Sequence, residues 1–371
     1  MFKRLVVLGA GPVGLLTALL LKRQGMHVTV YEQNAKPMND YRAIAIHPPC
    51  LQMLDQLGLL QAFISRGRTV TQCDVFLQHA HPQFHMDFSL LPHPYPYLLM
   101  IPQSQTQDIL LNALGRGAIH YGHKIVSVDF ENRRLGVQTV TQKQPQQAPF
   151  DFLVVADGCR SFVRRAFHIG FKGTCYQDSY MMADCTHDPC AGKQIQIRLR
   201  QRGVIESYPL PNQQRRWVVR QDPAHPENSL AGFLNCIEKQ CQVTLKVDDV
   251  HHFSTYRVSN RQADYFVLPC GVMLGDAAHV VSPTGGQGMN LGWVNADSFV
   301  ETFIKGLPLH VWQRQAQKRA RQIMRQAAFN MFWGRPYRSH MLRRWMLAAV
   351  LKEPVAAFFR KRFSMSQFVK P

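Results

Sequence analysis

Acidic residues are scarce in this chain. Its 371 residues hold 24 Asp and Glu against 43 Lys and Arg, a formal net charge of +19. The imbalance is local. From Lys305 to Pro371 there are 15 Lys and Arg and one acid, Glu353, so that stretch carries +14 and the rest only +5. Charged residues make up just 18% of the chain and hydrophobic ones 46%, which excludes a disordered polymer and implies a substantial core. Closely spaced cysteine pairs are missing too. Cys185/Cys190 and Cys236/Cys241 are each separated by four residues, unlike a zinc knuckle, so the nine cysteines read as reduced packing thiols of a cytoplasmic protein. Long apolar runs are rare. The uncharged stretch from Leu5 to Leu21 is broken by Gly-Pro, ends in Lys22-Arg23 and has no small-residue cleavage site, so neither export nor membrane spanning is expected. No internal repeat is visible.

What is present begins with a β-α-β pattern. "RLVVL" (4–8) has the continuous apolar character of a strand buried on both faces, "GAGPVG" follows, then a helix ending at Gly25 and a second strand, "HVTVYE", ending at Glu32. "FDFLVVADG" (150–158) and "FVLPCGVMLGDAAH" (266–279) read as further buried strands ending in polar turns. Between them, "KQIQIRLRQRG", "VIESYPLP" and "RRWVVRQ" favour β residues with turns between, which predicts an antiparallel sheet over 171–265, with added strands from 76–102. The fold class expected is α/β: a Rossmann-like domain built from 1–75, 103–170 and 266–300, an inserted antiparallel β-sheet substrate domain, and basic C-terminal helices over 301–371.

Gly9, Gly11 and Gly14 have the spacing GxGxxG. In such a loop the first glycine allows the turn, the second lets a pyrophosphate approach the backbone, and the third lets helix pack on strand. Pro12 starts the helix, whose N-terminus offers N–H donors. Glu32, 18 residues past Gly14, ends the second strand where a carboxylate accepts from an adenosine ribose. A dinucleotide site is expected there, FAD or NAD. The stretch "GVMLGDAAHVVSPTGGQGMNLG" (271–292) is a second glycine-rich segment, with one acid. Gly275-Asp276 follows a strand, so Asp276 falls at a carboxyl end of the sheet, suited to sugar or ribityl hydroxyls. Gly286, Gly288, Met289 and Asn290 then open a helix whose N–H groups suit a flavin ring carbonyl.

With those residues in view, the chain resembles the class A flavin monooxygenases, the para-hydroxybenzoate hydroxylase-like enzymes. "GDAAHVVSPTGGQGMNLG" is similar to their second FAD motif, and "VVADGCRSFVRR" to their Asp-Gly motif, with Asp157, Gly158, Ser161 and Arg164 in register. "YRAIAIHPPCLQMLDQLGL" resembles the segment whose Arg, here Arg42, approaches the FAD phosphates. "YPYLLMIPQSQTQDILLNAL" resembles the step whose Gln, here Gln103, contacts the flavin side. The resemblance runs in order over 4–297 and implies that both glycine loops hold one FAD. Two departures are Asn295, where the family usually has Asp, and Gln107, where many members have Glu.

The resemblance implies an NADH- or NADPH-consuming monooxygenase that hydroxylates an aromatic or quinone-like, hydrophobic substrate with O2 through a flavin hydroperoxide, with Pro283 beside flavin and substrate. Related flavoproteins that do not hydroxylate (polyprenyl-lipid reductases and halogenases) stay open at this point, although the halogenase "WxWxIP" motif is missing. So does a membrane-surface protein with structural FAD. "RRWMLAAVLKEPVAAFFRKRF" (343–363) interleaves cations with Trp345, Leu347, Phe358 and Phe359, a pattern for peripheral contact with the inner face of a membrane or for packing on the rest of the chain. Other features point away from further chemistry. His79, His81 and His85 share one exposed strand face with no completing ligand, so no metal is expected. Ser161 and His168 lack a nucleophile elbow. "QRQAQKRARQIMRQ" lacks an aromatic stacking platform, which argues against nucleic acid.

Overall fold

Strand Leu5–Leu8 is buried at every position, and so is Phe152–Val155, which lies parallel to it with Leu5 opposite Phe152. Continuous apolar runs are what a strand covered on both faces requires, and each fully buried Leu, Val or Phe contributes about 1.5–3 kcal/mol. The computed structural model describes residues 4–37, 43–77, 81–139, 142, 144–186, 192–221, 227–336 and 355–369. It divides into two compact units, which two strands, Phe171–Cys185 and Val250–Ala263, enter in turn.

The first unit comprises 1–43, 103–174 and 259–325. Its six-stranded sheet has the order Val267–Leu268, Gly271–Met273, Phe152–Val155, Leu5–Leu8, Val28–Glu32, Ile119–Tyr121, parallel except at the first pair. Helix Pro12–Arg23 packs on helices Gln103–Leu114 and Gly288–Ile304, with every residue from Gly14 to Leu21 buried. The Rossmann-like arrangement expected from the sequence is therefore present. One strand differs. "FVLPCGVM" folds back on itself at Pro269-Cys270 as a short antiparallel hairpin, Val272 pairing with Val267, because proline cannot continue a ladder.

The second unit comprises 44–102, 175–258 and 326–371. Residues 44–75 thus cluster with it and not with the Rossmann-like unit. The three β segments read from the sequence appear as Ile195–Arg200, Gly203–Pro209 and Arg215–Arg220, in one largely antiparallel sheet. Gln72–Phe76 and Phe84–Asp87 extend that sheet, whereas Leu98–Met100 pairs instead with Ala45–Ile46 and Arg68–Val70. The stretch 171–265 is not wholly sheet. Leu230–Cys241 is a helix capped by Ser229, whose side chain accepts from Gly232 N, and its Phe233, Ile237 and Cys241 pack on Met181, Ile205, Trp217 and Val219. Three arginines of strand Arg215–Arg220 are buried. Arg216 gives two bonds of 2.6 and 2.7 Å to Asp184, and Arg220 pairs with Asp178 at 2.7 Å. Arg215 donates to Ser207.

Candidate functional site

The first glycine loop is shaped by close contact on two sides and openness on the third. Gly9 has φ +97°, and a Cβ there would lie 2.4 Å from Ala156 O. A Cβ on Gly14 would lie 2.0 Å from Gly9 O. At Gly11 a Cβ would meet nothing within 4 Å. Gly9 and Gly14 are thus required by packing, while Gly11 borders open space where a ligand backbone-to-phosphate contact is feasible. Gly11 is also the N-cap of helix Pro12–Arg23, with no capping side chain and no acid in the first turn, so helix N–H groups and the positive dipole end face that space.

Glu32 closes the loop from below. One carboxylate oxygen accepts from Ala10 N at 2.8 Å, the other from Asn34 N at 2.9 Å and Asn34 Nδ2 at 2.6 Å. Gln107 Nε2 donates to Ala10 O at 3.3 Å, and its buried Oε1 has no hydrogen-bond partner among the described residues. Gln103 is buried at the start of helix Gln103–Leu114, its Oε1 accepting from Ala43 N at 3.0 Å. Arg42 lies outside the described residues, as does His79. Among the described residues no group of three His, Cys, Asp or Glu could hold a metal, and His85 meets an acid that the sequence did not foretell, Asp74, at 2.7 Å across the strands.

The second glycine segment lies directly on the first. Gly275, at φ +57°, and Gly292 both face Val13; a Cβ on Gly292 would be 2.6 Å from Val13 Cγ2. Trp293 Nε1 donates to Pro12 O at 3.0 Å. Loops some 260 residues apart in sequence therefore share one surface, and sequence spacing alone could not reveal the tryptophan that ties them. The Asp-Gly segment joins the same assembly. Asp157 is half-buried and accepts from Phe162 N at 2.7 Å; desolvation raises its carboxyl pKa. Gly158 sits at φ +81°. Arg164, lying 3.8 Å over Phe171, donates to Cys159 O and, at 2.9 Å, to Ala277 O, next to half-buried Asp276. Sequence reading placed Arg164 in the motif but missed that it bridges to the other loop.

Past Asp276, Pro283 is exposed and opens a turn that Gly286 N closes on Pro283 O at 2.8 Å. Gly285 and Gly286 take φ of +93° and +66°. Helix Gly288–Ile304 follows, with Gly288, Met289 and Asn290 in its first turn and no side chain capping it from Gln287. Asn290 Nδ2 donates to Gly286 O at 3.0 Å. The helix start is thus a second uncapped N-terminus, as its glycines suggest.

Asn295 has a physical role where relatives carry Asp. Its Nδ2 donates to His279 Nε2 at 3.1 Å, its Oδ1 accepts from Arg319 at 3.3 Å, and Trp312 Nε1 donates to its carbonyl. That orientation puts the His279 proton on Nδ1. Burial pulls the His279 imidazole down to about 4 from 6.5. The unfolded chain therefore takes up this proton first as pH falls. The stability tied to neutral His279 is complete above about pH 6.5, declines below it, and is gone near pH 4. The shift corresponds to about 3 kcal/mol. Urea titrations from pH 7.5 to 4.5 should show this decline, and His279→Gln should flatten it; an unchanged slope would contradict the assignment.

FAD fits these residues. The open side of Gly11, two uncapped helix N-termini for anionic or carbonyl groups, the orphaned acceptor Gln107 Oε1 and the carboxylate of Asp276 form the donor and acceptor set that a pyrophosphate, ribose and flavin ring require.

Comparison with known proteins agrees with that fit. Residues 3–307 match the family described as FAD binding domain. Para-nitrophenol 4-monooxygenase of Pseudomonas sp. strain WBC-3 is 29% identical over 81% of this chain and 77% of its own. The 6-methylpretetramide 4-monooxygenase of Streptomyces rimosus is 30% identical over 79% of this chain and 54% of its own. In three dimensions, the p-nitrophenol 4-monooxygenase PnpA of Pseudomonas putida DLL-E4 superposes with a TM-score of 0.86 at 23% identity, covering 97% of this chain and 98% of that one. The paired glycine loops, the Asp-Gly segment that bridges them and these matches lead to one conclusion: the chain belongs to the FAD-binding class A aromatic monooxygenase family and is an FAD-dependent monooxygenase.

Proposed function

We propose that the protein uses NADH or NADPH and O2 to hydroxylate a hydrophobic aromatic or quinone-like ring. The observation that carries this reading is the contact of the two glycine loops at Val13, which gathers both ends of one FAD site from 260 residues apart. When bound, FAD would take two electrons from the nicotinamide and deliver one atom of O2 to the ring, the other leaving as water. The chain's own tasks are binding and positioning. Gly9, Gly11, Pro12 and Gly14 would receive the pyrophosphate, with Arg42 near its phosphates and Glu32 at the ribose. Asp157 and Gly158 would hold the Asp-Gly turn, and Gly275-Asp276 the ribityl hydroxyls. Gln103 and the helix start at Gly286, Gly288, Met289 and Asn290 would meet the flavin ring, with Pro283 next to the substrate. No triad is needed, in keeping with residues whose work is orientation and exclusion of water. The relatives named for para-nitrophenol and 6-methylpretetramide support a ring substrate over a lipid-reducing or halogenating role. The test is nicotinamide oxidation by FAD-loaded enzyme with a panel of phenols. Stimulation of tenfold or more by a subset of rings is expected; a rate indifferent to every ring would refute the reading.

The same proposal extends to location. No described helix is long and apolar enough to cross a membrane. Residues 343–354 of the basic segment lie outside the described residues. In the described helix Val355–Phe363, Phe359 stacks on Phe329 and Phe363 on Phe88, while Val355 and Phe358 stay exposed, with the Arg362 guanidinium 4.9 Å over the Phe358 ring. Those exposed groups support contact with an anionic lipid surface. Cosedimentation with anionic vesicles at low salt, lost at high salt, is expected. Failure to sediment at low salt would end this part of the proposal.

A further inference from the structure

Helix Leu309–Gly334 has no acidic residue along its length, and its part up to Arg325 belongs to the first unit. At about 100° per residue, Trp312, Ala316, Ala320 and Ile323 fall on one side of it, and all four are buried. Val311, Arg314, Lys318, Arg321 and Arg325 fall within about 80° of arc on the opposite side, and all five are exposed. The residues flanking this face are engaged with the rest of the unit. Gln313 accepts from Phe266 N and Val267 N, Gln317 donates to Asp264 O, and Arg319 donates to Asn295 and Ser298. The four outward cations have no hydrogen bond or ion pair with another described residue. Acids on neighbouring elements act elsewhere: Glu301 pairs with Lys305 at 2.7 Å, Asp264 with Lys172 at 3.0 Å, and the charge of Asp297 acts on Arg319.

Like charges three and four positions apart oppose a helix, and a face that served only solubility would mix its signs. The surface leading into the row is apolar. Val311 is 42% exposed, and Ile304 and Leu307, at the end of the preceding helix and in the link after it, are 40% and 53% exposed. We propose that this face, from Ile304 to Arg325, docks on an anionic phospholipid bilayer, with Arg314, Lys318, Arg321 and Arg325 at the phosphates and Leu307 and Val311 at the acyl boundary. A bilayer surface takes both kinds of group at once. The phosphate backbone of a nucleic acid answers only the cations, and this face carries no row of aromatic rings for bases. The row is straight and about 17 Å long, so its four charges can meet one flat surface together. The proposal extends the reading of location to a different helix and stands without helix Val355–Phe363.

Cosedimentation of the full, FAD-loaded chain tests it, with vesicles of phosphatidylcholine alone and of phosphatidylcholine mixed with phosphatidylglycerol. Wild type should bind the mixed vesicles at least tenfold more tightly. Arg314→Glu, Lys318→Glu, Arg321→Glu and Arg325→Glu together should weaken that binding about a hundredfold or more, with FAD content and melting temperature unchanged. Arg314→Lys, Arg321→Lys and Arg325→Lys together keep the charge and should bind within about threefold of wild type. Leu307→Ser with Val311→Ser should lose about tenfold on the mixed vesicles. Undiminished binding by the fourfold Glu variant overturns the proposal, as does equal binding of wild type to both kinds of vesicle, or tighter binding to double-stranded DNA than to the mixed vesicles. Lys318→Glu with Arg321→Glu gives the same decision if the fourfold variant does not fold. The two surfaces fail separately: binding lost in Val355→Ser with Phe358→Ser and kept in the fourfold Glu variant counts against this face alone, and the converse counts against helix Val355–Phe363 alone.

Discussion

Replacing Gly11 with Ala is expected to leave the folded chain intact while weakening FAD binding at least a hundredfold. Its backbone, at φ −71° and ψ 172°, suits alanine, and the added methyl meets no protein atom within 4 Å. The apo protein should therefore be as stable as wild type, or gain about 0.4–1 kcal/mol through the unfolded state. The methyl instead occupies the space assigned to the pyrophosphate, where overpacking costs about 1–3 kcal/mol and the closest backbone contacts are lost as well. Gly14→Ala should behave in the opposite way. Its methyl would stand 2.0 Å from Gly9 O, so helix and strand must separate whether or not a ligand is present. Thermal melts of apo protein and FAD titrations of both variants check this. Equal loss of apo stability in the two would show that Gly11 is only a packing residue.

The second large effect concerns Asp276. Asp276→Ala should reduce FAD affinity ten- to a hundredfold, the equivalent of one charge-assisted hydrogen bond of about 1.5–3 kcal/mol. Asp276 is half-buried in the short 3-10 turn Gly275–Ala277, whose carbonyl at Ala277 is held by Arg164. That support is independent of the Asp276 side chain, so the turn should persist in the variant. Asp276→Asn, which keeps the shape but not the charge, should fall between. Unchanged FAD affinity and turnover in Asp276→Ala would remove this residue from the site.

The parts of the fold that the sequence discloses are those where one physical demand dominates. "RLVVL" and "FLVV" must be buried strands because nothing in them tolerates water, and they are. GxGxxG discloses the turn because two of its glycines have no room for a methyl. Elsewhere competing demands hid the answer. "RRWVVRQ" reads as a strand, but nothing local shows that its arginines are buried; Arg216 and Arg220 are, because Asp184 and Asp178, over thirty residues earlier, meet them on an adjoining strand. Helix Leu230–Cys241 lay in a stretch read as sheet, although Ser229 followed by apolar residues at 230, 233, 234, 237 and 241 has the helical period. The site was legible where it is local and illegible where it is assembled. Arg164 to Ala277, Trp293 to Pro12 and Asn295 to His279 are contacts between segments, and no motif announces them.

The central claim is that this FAD site drives transfer of one oxygen atom from O2 to a ring. Turnover of the FAD-loaded enzyme under 18O2, with a phenol that stimulates nicotinamide oxidation, tests it most directly by mass spectrometry of the product. The account predicts a hydroxylated ring carrying one 18O atom, with one nicotinamide consumed for each oxygen inserted. Nicotinamide consumption that yields only hydrogen peroxide with every ring that stimulates it, or a hydroxylated product whose oxygen comes from water, would contradict it.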